Sequence, residues 1–150
     1  MEGKIDEKDI EILSILEKNA KTRIHIIARK LHLPPSTVHH RIKRMEQEGI
    51  ISGWGVRKNY QKLGLTVKAY VMVFVDVTAL KHMKKTQKDI ASAIKRIENV
   101  ECADIITGDS DLLVCVRCKD IDDFQKVLLG KLQSIEGITK TKTLMVIGEG

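Results

Sequence analysis

The only two prolines of this chain, Pro34 and Pro35, stand side by side between two stretches whose apolar residues recur at helical spacing. A proline cannot continue a helix, because it lacks the backbone N–H and its ring clashes with the preceding turn, but it is favourable in a first helical turn. A new helix therefore begins at about Pro35, and Gly49 ends it. The prolines thus predict two short helices joined by a tight turn.

One more helix is predicted ahead of this pair. Asp6 can cap it, and it ends near Asn19. Thr22 can cap the helix that follows. Apolar residues at helical spacing predict the inner faces of these two helices: Ile10, Leu13 and Leu16 in the first, and Ile24, Ile27, Ala28 and Leu31 in the second. Three helices, of which the last two are joined by a tight turn, form a helix-turn-helix.

The third helix, expected over residues 35–48, separates an apolar face from a polar one. At about 100° per residue, Val38, Ile42 and Met45 form the inner stripe. The opposite face carries cations, hydroxyl groups and an amide but no acid: Ser36, His40, Lys43, Arg44 and Gln47. Such groups can reach base edges and phosphates in the major groove of DNA, whereas an ordinary surface helix usually mixes both charge signs.

The positive charge of the chain is concentrated around this helix. Residues 1–65 hold 13 Lys and Arg against 8 Asp and Glu, whereas residues 66–150 hold 13 against 12. Between Lys21 and Arg44 there are seven basic residues and no acid. A basic patch without acids suits a polyanion, although on charge alone a solvated surface explains it equally well. The helix-turn-helix context favours DNA.

The residues of this expected DNA surface receive different roles. In a helix-turn-helix, the N-terminal part of the recognition helix contacts bases. Ser36, Thr37 and His40 are therefore predicted to contact base edges, and Lys43 and Arg44 to hold phosphates. The same surface is predicted to include Lys21, Arg23, His39 and Arg41. For Arg41, which lies near the apolar stripe, a local salt bridge is an equal alternative.

Beyond Gly49 the pattern changes from helical spacing to β-branched segments. Residues 50–57 predict a short strand containing glycines. The segments that follow predict the order β-α-β-β-α-β of a ferredoxin-like unit: a strand over Val67–Val77, a helix marked by Ile90, Ile94 and Ile97, strands over 101–107 and 112–118, a helix capped by Asp120, and a strand over 140–147.

The expected fold class is α+β, with an N-terminal winged-type helix-turn-helix and a C-terminal βαββαβ ferredoxin-like domain. The helix-turn-helix domain is placed at residues 1–50, a hinge strand and linker at 51–65, and the effector-binding and oligomerisation domain at 66–150.

Both faces of the predicted sheet carry apolar residues. Along the first strand the valines line one face, while Tyr70, Met72 and Phe74 line the other. The strand over 112–118 also places apolar residues on both sides. Two helices cover only one face, and an uncovered antiparallel face is normally polar. We therefore expect an obligate homodimer in which this second face meets its own copy; the alternative cover is the N-terminal helices.

Several kinds of site are not expected. The three cysteines are odd in number and no secretory signal precedes them, which argues against a disulfide framework. Cys115 and Cys118 lie three apart on a strand and point to opposite faces, so they cannot easily hold one metal. The adjacent His39 and His40 point about 100° apart, and we expect neither a metal nor a cofactor. No apolar run reaches the roughly 18 residues of a membrane span, and a cytoplasmic, nucleoid-associated protein is expected.

The stretch NAKTRIHIIARKLHLPPSTVHHRIKRMEQEGIISGWGV closely resembles the DNA-binding head of the Lrp/AsnC, or feast/famine, transcription regulators. The KLG at residues 62–64 matches the linker of that family, and the TGDSD at residues 107–111 matches its sensing-domain loop. The resemblance covers nearly the whole chain, with the elements in the family's order.

Two positions depart from the family pattern. The family often has Gly-Leu-Ser at the turn before the recognition helix, where this chain has His32-Leu33-Pro34. Pro34 cannot offer a side-chain acceptor, so the start of the third helix is capped more weakly or in another way. Trp54 stands where the hinge of the family usually carries tyrosine.

The resemblance implies a hinge at residues 50–57, dimers whose sheets pack face to face, and assembly of dimers into tetramers or octamers. It also implies that small effectors, often amino acids, bind between dimers. The effector-binding residues that it implies are Thr107, Gly108, Asp109, Ser110, Asp111 and Gln133. From the residues alone, a plain hairpin turn also explains the TGDSD loop, because Gly108 permits an unusual backbone angle.

The function expected is that of a sequence-specific regulator that binds double-stranded DNA and responds to a small metabolite. One alternative is an architectural, nucleoid-type protein with little sequence preference. A third hypothesis is an enzyme, because decarboxylases of sirohaem are built like this family. The C-terminal domain has one histidine, His82, and the chain shows no Ser-His-Asp set and no Gly-rich phosphate loop, so no enzyme activity is expected.

Overall fold

The computed structural model describes residues 4–148 and contains two compact units, of which one ends at Arg57 and the other begins at Lys58. The described part of the first unit holds three helices, and the second holds a four-stranded antiparallel sheet with helices. The α+β class and the helix-turn-helix expected from the sequence are therefore confirmed. The boundary between the units falls within residues 51–65, where the linker was placed.

The three helices of the N-terminal unit begin and end at the expected signals. They are α1 (Glu7–Lys18), α2 (Ile24–Leu31) and α3 (Pro35–Gln47). Asp6 caps α1 through a capping box: the Asp6 side chain accepts from the backbone N–H of Asp9, and the Asp9 carboxylate accepts from the backbone N–H of Asp6. Pro35 occupies the first turn of α3, and Gly49, at a φ of 71°, follows the end of that helix.

The core of this unit confirms the inner faces of α2 and α3 but corrects that of α1. Its fully enclosed side chains are Ile12, Leu16, Ile27, Ala28, Val38 and Met45. Ile10, predicted to face inward, is 57% exposed, whereas Asp9 is completely buried. The apolar residues of α1 allow more than one stripe, and ion pairs between Asp9 and α3 select the stripe that contains Asp9.

Two local predictions in this half of the chain were wrong. Thr22 does not cap α2, because its hydroxyl donates to the carbonyl of Asn19 at 2.7 Å, and Arg23 occupies the cap position without a side-chain bond. Residues 52–59 form no strand and are exposed. A strand is stable only when its backbone groups pair with a neighbour, and no described segment of the chain pairs with this one.

The C-terminal unit follows the order expected for the ferredoxin-like arrangement, with one more helix than predicted. Its elements are β1 (Val67–Val75), α4 (Val77–His82), α5 (Gln87–Lys95), β2 (Val100–Ile105), β3 (Leu112–Cys118), α6 (Ile121–Val127) continued by a π-helical turn (Leu128–Leu132), and β4 (Ile138–Met145). The strands lie in the order β2-β3-β1-β4, all antiparallel.

The additional helix corrects the end of the first strand. Val77 was counted as part of that strand, but it opens α4 and is half exposed. The reason is Asp76, whose side chain accepts from the N–H groups of Thr78 and Ala79 and so caps a helix immediately after β1.

One face of the sheet packs against the helices and forms the main core. Alternate residues of β1, namely Ala69, Val71 and Val73, point into it and are wholly buried. The helices and the other strands contribute further enclosed side chains: Ile90, Ile94, Leu112, Val114, Val116, Cys118, Phe124, Val127 and Leu132. This face matches the prediction of a continuous apolar layer.

The second face of the sheet is mixed rather than apolar, contrary to the prediction. In the register of β1 and β3, Tyr70 lies opposite Cys115 and Lys68 lies opposite Arg117. Directly opposed residues of two paired strands project from the same face of the sheet, so all four belong to the second face. Arg117 is buried there although it is charged. Lys140 lies 5.5 Å from the ring centroid of Phe74, so a cation also covers part of the aromatic surface.

The two cysteines of β3 lie on opposite faces of the sheet. Cys118 lies in the core while Cys115 lies on the second face, so the pair points in opposite directions as expected. Burial raises the pKa of Cys115 to about 12 and that of Cys118 to about 11, which keeps both thiols protonated near neutral pH.

Among residues 4–148, no helix has both the length and the apolar character needed to cross a membrane.

Replacing Gly137 by alanine should lower the free energy of unfolding by about 1–3 kcal/mol. Gly137 has a φ of 101°, and an added Cβ would lie 2.7 Å from Cδ2 of Leu80. The control is Gly130→Ala within the π-helical turn, where a Cβ meets nothing within 4 Å and alanine should be neutral or mildly stabilising. Urea denaturation followed by circular dichroism measures both; equal stability of the Gly137 variant and the wild type would contradict the packing described.

Candidate nucleic-acid interface and effector loop

The outward side of α3 brings the predicted base-contacting residues together. Ser36, Thr37 and His40 line a shallow groove of about 360 Å³, together with Arg41 and Arg44. Lys43 and His39 are exposed on the same helix, and the two adjacent imidazole rings lie 6.2 Å apart in a T-shaped arrangement. Lys21 and Arg23, which are also exposed, precede α2 rather than lying on α3.

Arg41 and Arg44 are held by carboxylates of the N-terminal helix. Nη1 of Arg41 lies 2.7 Å from Oδ2 of Asp6 and 2.9 Å from Oδ1 of Asp9. Nη2 of Arg44 binds Oδ2 of Asp9, the second oxygen of the same buried carboxylate. The salt bridge considered for Arg41 is therefore present, and Arg44 is held in the same way. The predicted phosphate contact of Arg44 remains a prediction.

The ion pairs explain why Asp9 can be buried. A carboxylate without counter-charges would lose several kcal/mol of hydration, but here each oxygen accepts from a guanidinium. The same arrangement lowers the pKa of Asp6, first through the hydrogen bond from Arg41 and then through the backbone N–H of Asp9. Sequence reasoning missed Asp9, although its position three residues before Ile12 and seven before Leu16 places it on their face.

The first turn of α3 is open toward solvent. Pro34 precedes the helix and provides no side-chain cap, as expected from the sequence. The backbone N–H groups of Ser36 and Thr37 belong to the first helical turn, which has no intrahelical acceptors. These groups carry the positive end of the helix dipole, an arrangement that favours anions such as phosphate.

Trp54 is attached to the N-terminal unit. Its indole Nε1 donates to Oε1 of Glu46 at 2.8 Å. Residues 50–55 and the C-terminal half of α1 border a groove of about 490 Å³, in which Leu13 and Leu16 supply the apolar floor. The segment after Trp54 leaves this unit without regular structure.

The predicted effector loop joins β2 to β3, and Asp111 braces it internally. The N–H of Asp111 donates to the carbonyl of Val73, and its carbonyl accepts from the N–H of Ile106, both at 3.0 Å. One carboxylate oxygen of Asp111 accepts from the N–H of Val75 at 2.9 Å, and the other from Nε2 of Gln87 at 2.8 Å. The carboxylate that the sequence offered to an effector therefore already has two partners in the protein.

The other residues of the loop differ in their exposure to solvent and in their hydrogen-bond partners. Ser110 is 5% exposed, and its hydroxyl has no hydrogen-bond partner among the described residues. Thr107, Gly108 and Asp109 are exposed, and Gly108 adopts a φ of 131° that favours glycine. An unpartnered buried hydroxyl is uncommon in folded proteins. The exposed polar groups of the loop are those of Thr107, Asp109 and the backbone, whereas the Ser110 hydroxyl is buried and unpartnered among the described residues.

Gln133 is bonded to β4, which lies on the other side of β1 from the strand that follows the loop. Its Nε2 donates to Oγ1 of Thr141 at 2.7 Å, and Thr141 pairs with Val73 across β4 and β1. Val73 pairs on its other side with Leu112, which follows the loop. The loop and Gln133 thus flank β1 from opposite sides, and two strand spacings, about 10 Å, separate the backbone at Leu112 and Thr141.

The described residues show no arrangement for a metal ion. Among residues 4–148, no three His, Cys, Asp or Glu side chains are grouped so that they could hold one. The polar groups that the structure does assemble are hydrogen-bond donors and cations on α3, and hydroxyl, carboxylate and backbone groups at the loop.

Comparisons with known proteins agree with the division of the chain into two units. The family described as winged helix-turn-helix DNA-binding matches residues 5–52, and the family described as Lrp/AsnC ligand binding domain matches residues 72–149. A transcriptional regulator of Pyrococcus furiosus is 36% identical over 94% of this chain and 91% of its own length. The regulatory protein AsnC of Escherichia coli is 32% identical over 95% of this chain and 90% of its own length.

Solved structures show the same fold. The structure of E. coli AsnC superimposes with a TM-score of 0.85 at 28% identity and covers 98% of this chain and 95% of its own. A transcriptional regulator of Neisseria meningitidis, crystallised in complex with L-methionine, superimposes with a TM-score of 0.87 at 23% identity and covers 97% of this chain and 92% of its own.

Replacing Asp9 by asparagine should destabilise the N-terminal unit by about 1–3 kcal/mol, because the arginines lose their buried counter-charge; the loss is smaller than for a fully enclosed pair, since both guanidinium groups retain contact with water. Chemical denaturation measures the change. Glu11→Gln is the matched control, because it breaks the exposed Lys8–Glu11 pair of the same helix, which should cost no more than about 0.5 kcal/mol. Equal effects of the two substitutions would contradict a special role for Asp9.

Proposed function

Because this chain belongs to the Lrp/AsnC family of transcription regulators, we propose that α3 reads a specific DNA sequence and that an amino acid bound at the loop of residues 107–111 controls this binding. The observation that carries the proposal is the outward face of α3. Ser36, His40 and Lys43 are exposed there, on a helix whose inner face is buried and whose rotation is fixed by ion pairs.

The exposed side chains on and near α3 fall into two sets, one suited to DNA bases and the other to DNA phosphates. Ser36, Thr37 and His40 stand in the first half of the helix, which is the part that contacts base edges in a helix-turn-helix. Lys43, one turn further on, is exposed and suits a phosphate, and Lys21, Arg23 and His39 extend the basic surface. We assign Arg41 and Arg44 chiefly to orienting α3, with phosphate contact as a secondary role for each.

We propose that the second face of the sheet is the dimer contact, and that dimers can assemble further into tetramers or octamers. Tyr70, Met72 and Leu113 are only partly buried there although they are large and apolar, and Leu144 on the same face is 47% exposed. A second copy related by a two-fold axis would cover them. It would also present two recognition helices to half-sites about one helical turn apart.

For the effector we propose an amino acid. An α-ammonium group can donate to the carboxylate of Asp109, while an α-carboxylate can accept from loop N–H groups and from the Ser110 hydroxyl. The relative from Neisseria meningitidis was crystallised with L-methionine, which supports this class of ligand. Because Gln133 and the loop lie on opposite sides of β1, a pocket that uses both would take them from two different chains. Such a pocket would link occupancy to assembly.

Lys43→Ala tests the DNA contact. On a labelled duplex from upstream of its own gene, the variant should bind more weakly than the wild type, and the slope of log affinity against log salt should fall by about one unit. Fluorescence anisotropy between about 50 and 200 mM salt measures both quantities. Lys95→Ala, an exposed lysine of α5, is the control and should leave the slope unchanged.

A random duplex of the same length completes the DNA experiment. A wild-type affinity at least a thousandfold higher for the upstream duplex would support a sequence-specific regulator, since specific sites are typically bound about 10³–10⁷ times more tightly than random DNA. Equal affinities at fixed salt would instead favour an architectural protein, and no binding at low salt would refute both DNA-binding hypotheses.

Asp109→Ala and Ser110→Ala test the effector loop. A pool of the twenty amino acids should change the DNA affinity or the oligomeric state of the wild type, and each variant should reduce that response because it removes one of the proposed ligand contacts. Light scattering and anisotropy, with and without the pool, provide the measurement. Asp122→Ala, on the exposed side of α6, should respond like the wild type. An unaltered response in both loop variants would place the effector elsewhere.

A further inference from the structure

A linker residue, Tyr60, is attached to the second face of the sheet. The guanidinium carbon of Arg117 lies 4.2 Å from the centroid of the Tyr60 ring, which is the distance of a close cation–π contact. Arg117 belongs to β3, and it is 9% exposed although it is charged. Tyr60 therefore forms part of the cover that allows this arginine to be buried.

Glu101 joins the two side chains into one network. Its Oε1 lies 3.3 Å from Nε of Arg117, and its Oε2 accepts from the thiol of Cys115 at 3.2 Å. The same carboxylate raises the pKa of the nearby Tyr60 hydroxyl. Burial opposes ionisation of Glu101, but the hydrogen bonds from Tyr60, Cys115 and Arg117 outweigh it and lower its pKa. Arg117 is a buried member of this network, whereas Tyr60 is half-buried and Glu101 is exposed. Displacing either of these two partners would cost the buried guanidinium one of its contacts.

The attachment at Tyr60 sets the length of free chain between the two units. Trp54, bonded to Glu46, is the last residue with a side-chain attachment to the N-terminal unit. Residues 55–59 are exposed and lie outside helices and strands. After Tyr60, the next attachment to the sheet is Thr66, whose hydroxyl donates to the carbonyl of Lys119 at 2.8 Å.

We infer that Tyr60 is a positioning residue that fixes the spacing of DNA half-sites the protein accepts, by anchoring the linker to the sheet through Arg117 and Glu101. The inference rests on the proposed function, since it requires two heads that bind one DNA molecule. With Tyr60 anchored, five residues, 55–59, connect the attachments at Trp54 and Tyr60. Without it, and once the hydrogen-bonded turn of residues 59–65 also opens, up to eleven residues, 55–65, connect Trp54 to Thr66.

The change in free length is large enough to be measured. A flexible chain spans about 12 Å over five residues and about 18 Å over eleven, at roughly 5–6 Å times the square root of the residue number. The effective concentration of the second head falls roughly as the −3/2 power of linker length, which corresponds to about a threefold loss here. A longer linker also reaches more spacings, so the preference among them becomes weaker.

The experiment uses the full-length chain and duplexes that carry two copies of its most strongly bound upstream segment, with centres separated by 8 to 16 base pairs in single steps, a range of roughly one helical turn. Tyr60→Ala should lower the affinity at the best spacing about threefold and reduce the contrast between the best and worst spacings. Gln61→Ala, an exposed neighbour in the same linker, should give the wild-type profile. A Tyr60 variant whose spacing profile is that of the wild type would overturn the inference.

A second measurement needs no DNA. Trp54 is the only tryptophan of the chain, so the decay of its fluorescence anisotropy reports the tumbling of the N-terminal unit. Tyr60→Ala should add a faster component that Gln61→Ala lacks, and an unchanged decay would count against the anchor. If the wild type shows no binding to paired sites, the proposed function fails while this measurement still decides whether Tyr60 restrains the linker.

Tyr60→Leu serves if the alanine variant is unfolded by circular dichroism. Leucine keeps apolar volume over Arg117 but provides neither an aromatic face nor a hydroxyl group. It should therefore weaken the spacing preference and shorten the Trp54 anisotropy decay in the same direction as alanine. A folded leucine variant with the wild-type values in both measurements would overturn the inference.

Discussion

The buried carboxylate of Asp9 is the interaction on which the N-terminal unit depends. Removing a carboxylate from water is unfavourable unless both oxygens meet charged donors, and Arg41 and Arg44 are those donors. Because both belong to α3, the two ion pairs act together with the buried Val38 and Met45 to hold the rotation of α3 about its own axis. The groups that α3 presents to solvent, among them His40 and Lys43, follow from that rotation rather than from local preference.

Carboxylates also hold neighbouring segments in place at two positions of the C-terminal unit. Asp111 ties the β2–β3 loop to the end of β1 and to α5 through Val75 and Gln87. Glu101 ties the linker to the second face of the sheet through Arg117 and Tyr60. In each case a carboxylate to which the sequence alone gave no structural role holds a neighbouring segment in place. Rigid elements thus carry the loop and the linker, while the polar groups that remain unpaired are those offered to ligands.

The sequence predicted the features that depend on local chemistry. The prolines placed the start of α3, and Asp6 and Asp120 placed two helix caps, because each acts on residues next to it. It missed features that depend on distant partners. Nothing near Asp9 in the sequence reveals the arginines more than thirty residues away, and residues 50–57 have strand-like composition but no strand beside them. The candidate loop was identified by resemblance to a family and remains a prediction, whereas the internal role of Asp111 required the fold.

The uncapped start of α3 has a consequence for how recognition and folding are connected. Most helices complete their first turn with a side chain of their own, but Pro34 leaves the N–H groups of Ser36 and Thr37 without one. In the proposed complex a DNA phosphate oxygen accepts from these groups, so the nucleic acid itself serves as the N-cap. In that complex the protein would form the recognition helix, and its operator would supply the acceptor that the first turn lacks.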